Sequence, residues 1–241
     1  MKKLLILATL FLFVANSFWG QTKRNIEETS VIYLDTLITV DSLNLVPYTE
    51  NEYIKHLSET TLIENYSNHN FAKTDSSFIV KTKNSIFEIS DTISYESSYY
   101  YKRFISSIPA HYITHCGEGY CSAFLLDYKT DERFYLDAPF DAGIKGMQLS
   151  KNKTYLVVYS SYDGPDYDDY YATRSTFTFY KIKKNKGIKG MIVYYSFEST
   201  EWSIEELIWI NNNTLALKVY TGERNGDTVE GSYLYFTVQI D

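Results

Sequence analysis

The stretch from Ile108 to Ser161 constrains the fold more than any other part of the chain. It runs HYITHCGEGYCSAFLLDYKTDERFYLDAP, breaks at FDAGIKG, then continues MQLSKNKTYLVVYSS. Apolar and aromatic runs too short for helices alternate with polar turns carrying Gly, Asn, Asp and Lys, which is the pattern of strands joined by turns. The pattern begins near Phe78–Lys81 and persists to Tyr233–Ile240. The expected architecture is therefore mainly β, a propeller-like or sandwich arrangement of short antiparallel strands with one N-terminal helix. That helix is expected over 51–66, where Tyr53, Ile54, Leu57, Leu62 and Ile63 recur at near-helical spacing and Thr49 or Asn51 stands as cap. Val31–Val40 reads as a first strand, and Gln21–Ser30 as a loose polar arm.

An internal repeat is visible in the second half. Ser150-Lys151-Asn152-Lys153 leads into TYLVVYS, and Asn211-Asn212-Asn213 leads into TLALKVY about sixty residues later. Each is followed by a long loop and another strand, TFTFYKI or YLYFTV, and HYITHCGEGYCSAFLLD fits the same scheme with a short loop. The pentapeptide GIKGM, at 143–147 and 187–191, falls at different phases of the scheme and reads as loop convergence. These blocks resemble blades of WD40-like β-propeller proteins. FLLDYKT resembles the strand-Asp-turn ending of a blade strand, and LSKNKTYLVVYS the Ser-Pro-Asp-Gly entry into the next, with Lys151 and Asn152 in place of Pro and Asp and without the Trp-Asp ending. The resemblance covers Ile108–Asp241 and implies a blade-built C-terminal region. The organisation expected is 1–20 signal peptide, 21–106 N-terminal strand and helix segment, and 107–241 β-rich blade-like repeats.

Residues 1–20 carry the signature of an export signal. Lys2 and Lys3 precede an apolar run from Leu4 to Ala15 interrupted only by Thr9, and polar sequence begins at Gln21. The run is short for a spanning helix. Cleavage is expected after Ser17 or Gly20, leaving an exported, periplasmic or extracellular protein without a membrane anchor. Removing Lys2 and Lys3 moves the net charge from −7 to −9, which disfavours nucleic-acid partners. The 24 tyrosines favour strands, and their apolar bodies with polar tips also suit a sugar- or peptide-binding face.

Candidate chemistry gathers in three places. His111, His115, Cys116 and Cys121 are the densest set of potential ligands. Strand geometry puts the two histidines on one face and Cys116 on the other. In an exported chain a Cys116–Cys121 disulfide across the Gly117–Tyr120 turn is favoured over zinc or free thiols. Asp163, Asp166, Asp168 and Asp169 lie in SYDGPDYDDYY, where clustered carboxylates suit calcium or make a solvated acidic loop. Trp202 and Trp209 flank SIEELIWI as core residues or as the wall of a binding cleft. No Gly-x-Ser-x-Gly, His-Glu-x-x-His or phosphate-binding Gly-rich motif occurs. No cofactor is expected beyond that candidate calcium. The functional expectation is a non-catalytic exported protein binding a protein or glycan partner. The alternative is a secreted glycan- or peptide-acting hydrolase using paired carboxylates.

Overall fold

The computed structural model describes residues 21–32, 39–40, 42–60, 70–90, 97–137, 139–162, 173–225 and 228–240. The N-terminal part supplies four very short strands, β1 (Thr22–Arg24), β2 (Val31–Ile32), β3 (Thr39–Val40) and β4 (Leu45–Pro47), followed by the helix α1 (Glu50–Thr60). Three meanders come next: β5 (Phe71–Lys73), β6 (Ser77–Lys81) and β7 (Ser85–Ser90); then β8 (Ser98–Ile105), β9 (Ala110–Gly117), β10 (Tyr120–Asp127) and β11 (Arg133–Leu136); then β12 (Gly146–Leu149), β13 (Tyr155–Ser161), β14 (Ser175–Ile182) and β15 (Met191–Ser199). A fourth comprises β16 (Ser203–Trp209), β17 (Thr214–Tyr220) and β20 (Tyr233–Gln239), with a small hairpin of β18 (Glu223–Asn225) and β19 (Thr228–Glu230) between the last two. Among the described residues the fold is mainly β with one α-helix, in several antiparallel and mixed sheets that close no barrel.

Consecutive strands pair antiparallel within each meander. The four sheets then pack face to face in chain order. Phe78, Val80 and Phe87 of the first meet Phe124 and Leu126 of the second. Ala123, Leu125 and Phe134 on the other face of the second meet Leu156, Val158 and Tyr180 of the third. Val157, Phe177 and Phe179 meet Leu207, Leu217 and Val219 of the fourth, whose far face is covered by Tyr53 and Leu57 of α1 over Ile208 and Ala216. The middle sheets are thus buried on both faces. That is why AFLLD and YLVVYS read as continuous apolar runs rather than alternating ones.

The structure corrects the reading of the N-terminus. Val31–Val40 is not one strand: its start pairs with β11 of the second sheet and its end with β15 of the third. Nor is 21–30 loose. β1 pairs with β7, Ile26 is 4% exposed in the core between the first two sheets, and β4 pairs with β20. The strands β1 to β4 therefore act as a strap that adds an edge strand to the last strand of every meander in turn. It covers backbone edges that would otherwise be open to intermolecular pairing. Arg133 fastens it: the buried guanidinium donates to the carbonyls of Glu27 and Thr29, both at 3.2 Å, and lies over the rings of Phe124 and Tyr135. Arg24 adds an ion pair at 3.4 Å to Asp131, which also accepts from Ser85 Oγ at 2.6 Å. The sequence boundary at 106/107 falls between β8 and β9, paired strands of one sheet.

Local chemistry explains the element ends. Thr49 and Glu52 form a reciprocal capping box: Glu52 N–H donates to Thr49 Oγ1 (3.3 Å) and Thr49 N–H to Glu52 Oε2 (3.1 Å). The helix buries Tyr53 but leaves Ile54 53% exposed, so Ile54 does not belong to its apolar face. The two entry turns use side-chain acceptors in equivalent ways. Ser150 Oγ accepts from the N–H groups of Thr154 and Tyr155 (3.1 and 2.9 Å), and Asn211 Oδ1 from those of Asn213 and Thr214 (2.8 and 2.9 Å). Both turns lead into the second strand of their meander, which gives the sequence repeat a structural counterpart. GIKGM, in contrast, covers the approach to β12 in one copy and a 3₁₀ turn (Gly187–Gly190) in the other.

Candidate functional site

Cys116 and Cys121 stand directly opposite each other in the β9–β10 ladder and are joined in a disulfide. The oxidised sulfurs are not thiolate ligands, and the histidines have other partners. His111 is fully buried, with Nε2 donating to the Lys81 carbonyl (3.0 Å) and Nδ1 3.3 Å from the Tyr101 hydroxyl. Burial pushes its pKa down to about 4, against the pull of the Lys81 carbonyl. His115 Nε2 meets Ser97 Oγ at 3.0 Å, and its ring stacks on Tyr99 with centroids 4.3 Å apart; burial lowers its pKa. Among the described residues no group of three or more His, Cys, Asp or Glu could hold a metal ion. Asp163, Asp166, Asp168 and Asp169 lie outside the described residues.

The disulfide closes a sequence separation of only 5 residues, so it constrains the unfolded chain weakly. Replacing both cysteines with serine is expected to lower stability by about 2 kcal/mol or less. Urea unfolding with and without reductant checks this, and loss of folding altogether would mean the bond holds more than its own hairpin.

Trp202 and Trp209 are buried, at 5% and 1% exposure, in the core between the third and fourth sheets. Trp202 stacks on Phe197 and Trp209 on Tyr155, with centroids 6.0 and 6.3 Å apart. A ligand would reach neither ring without parting those sheets.

A charged and aromatic cluster that sequence reading missed sits at the first-strand edge of the stack. Arg103 of β8 donates to the Met147 carbonyl of β12 at 3.0 Å, tying the second sheet to the third. Lys145, just before β12, lies 3.9 Å from Glu205 of β16, and Arg224 of β18 donates to the same carboxylate. Tyr53 of α1 donates to Glu206 at 3.1 Å. The side chains of Lys145, Glu205 and Arg224 are 24%, 25% and 20% exposed, so solvent still reaches them. Bulges fall in both contributing first strands, at Tyr101/Arg103 and at Ile204/Glu206. An extra residue at such a point re-aims neighbouring side chains, and here Glu205 turns toward two cations while Glu206 turns toward α1.

The surrounding phenols are donors. Burial, reinforced by Glu206 and Glu205, pushes Tyr159 up to about 12, and burial with Glu206 raises Tyr53 further. The Tyr159 ring packs against Gly146 so closely that a Cβ there would overlap the phenol. The buried Tyr220 ring carries Arg224 at 5.0 Å and Lys145 at 5.7 Å. Beside it Tyr233 is 39% exposed and holds Lys218 Nζ 4.2 Å from its centroid. Pairs of this kind, aromatic rings with cations above them, are attractive through the ring quadrupole. Lys145 is far in sequence from Glu205 and Arg224, and only the assembly of the third and fourth sheets brings the three together. The one local signal was the Glu205-Glu206 doublet inside an otherwise apolar strand.

Among the described residues no helix is long and apolar enough to cross a membrane. No protein-family model matches the chain, and no curated protein sequence matches it.

Proposed function

We propose that this is an exported, non-catalytic β-rich protein, built as a propeller-like arc of four blades, that binds a glycan or protein partner at the fourth-sheet end of the stack. The observation that carries the reading is the cluster of Lys145, Lys218 and Arg224 around Glu205, Tyr220 and Tyr233, partly open to solvent on a rigid sheet. Binding sites combine such fixed aromatic surface with a few placed polar groups. Export rests on the Lys2–Gly20 segment and agrees with the Cys116–Cys121 disulfide. A glycan array probed with the mature protein and with Tyr233→Ala tests the reading. Binding by the mature protein that is lost in the variant is expected; equal binding by both would place the site elsewhere.

A hydrolase is the second reading, favoured by one contact, the Ser97–His115 hydrogen bond at 3.0 Å. A neutral imidazole accepting from a serine hydroxyl is the arrangement that activates a nucleophile. The paired-carboxylate version has Glu205 and Glu206 as its adjacent pair, but each already serves a structural partner. Labelling of Ser97 by a fluorophosphonate would favour the enzyme, and an unlabelled protein would remove its only geometric support.

A further inference from the structure

We infer that the fourth-sheet cluster recognises a carboxylate-bearing sugar, a uronate-type residue of an acidic oligosaccharide. This rests on the glycan branch of the proposed function. The two cations that would bind such a ligand already grip a carboxylate, that of Glu205, with Lys145 3.9 Å away and Arg224 in direct hydrogen bond. An internal carboxylate held by two cations on one tyrosine ring marks the charge and size of group the site can accept from outside. An incoming carboxylate competes with Glu205 for the two cations, and the repulsion between the two like charges is the cost that neutralising Glu205 removes.

Two further observations point the same way. The chain carries a net charge of −7, yet this patch gathers three cations, Lys145, Lys218 and Arg224, against Glu205 and Glu206. Of the two carboxylates, Glu206 is occupied by the Tyr53 hydroxyl. Three cations gathered in one patch of an acidic protein give an anion a local point of attachment. Next to the cations, the exposed Tyr233 ring meets Tyr220 at 6.2 Å and 72°. An exposed tyrosine offers an apolar face for the C–H face of a sugar and a hydroxyl for its rim. A uronate carries its carboxylate on the same ring whose C–H face would lie on Tyr233, so one rigid residue reaches both the ring and the cations, which favours the sugar.

The test is calorimetric titration of the full mature protein with three probes: oligogalacturonate, its neutral methyl ester, and poly-L-glutamate. Oligogalacturonate is expected to bind, more weakly as salt rises, with Lys218→Ala and Tyr233→Ala each losing about tenfold. Glu205→Gln, which releases the two cations, is expected to tighten binding. Near-UV circular dichroism confirms that each variant keeps its packing, and Tyr233→Ala removes a surface ring, so the result does not depend on Glu205→Gln folding well. If the methyl ester binds as tightly as the acid, the carboxylate inference fails while glycan binding stands. Equal binding of poly-L-glutamate overturns the sugar assignment. If no glycan binds here or on an array, both the inference and the glycan reading fall.

Discussion

Replacing Asp127 with alanine is expected to cost about 3–5 kcal/mol, near the limit of what a single domain survives. Asp127 ends β10, is 3% exposed, and satisfies three backbone donors at once. Oδ1 accepts from the N–H groups of Lys129 and Thr130 at 2.7 and 3.0 Å, which folds the turn into β11. Oδ2 accepts from Ile188 N–H at 3.1 Å, which fastens the second sheet to the 3₁₀ turn before β15 in the third. The carboxylate rests against Gly187, at a φ of +61°, where a Cβ would strike it. Alanine leaves the buried Ile188 N–H unpaired and releases the N–H groups of the exposed Lys129 and Thr130, so both the link between the sheets and the turn into β11 are lost. The Asp127→Asn variant keeps one carbonyl oxygen, enough for the turn or for Ile188 but not both, and about half the loss is expected. Urea midpoints of the two variants measure this, and an alanine variant within about 1 kcal/mol of the parent would show that the two sheets hold together without the link.

The second large effect is acid lability centred on His111. Its pKa of about 4 lies below the unfolded value near 6.5 because burial disfavours the imidazolium. A depressed folded pKa means the unfolded chain binds the proton first. The neutral histidine therefore contributes fully above pH 6.5, and its contribution falls away as the pH drops from 6.5 through 4. The span corresponds to roughly 3 kcal/mol. Thr49 holds Glu52, and Lys23 holds Glu88, below the ordinary carboxylate range, so these two stay ionised across most of that window. Unfolding free energies measured at about pH 7, 5.5 and 4.5 are expected to fall steeply in the parent and to flatten in His111→Gln. The same slope in both proteins would remove His111 as the cause.

The strands and several of their ends were legible in the sequence for a physical reason. β10 and β13 are buried on both faces, so their apolar runs stand out whatever their neighbours are. Thr49-x-x-Glu52, Ser150 and Asn211 act on backbone groups close by in the chain, so their roles are local. The Cys116–Cys121 hairpin was readable because both partners flank one turn. The strap was not: β1 to β4 are two or three residues long, too short for any period, and each pairs with a strand far along the chain. Val31–Val40 looked continuous because both its ends are apolar, although they serve different sheets. The Lys145–Glu205–Arg224 cluster was hidden because it depends on how the third sheet meets the fourth.

Where a partner sits decides between the fourth-sheet cluster and every other surface. Hydrogen–deuterium exchange of the mature protein, with and without the tightest glycan found on the array, locates it directly. Protection at 205–206, 218–224 and 233–235, with the hairpin around 116–121 unchanged, is the predicted result. Binding that leaves those segments unprotected, or that protects the Ser97 and His115 region instead, would contradict a binding site at the fourth-sheet end.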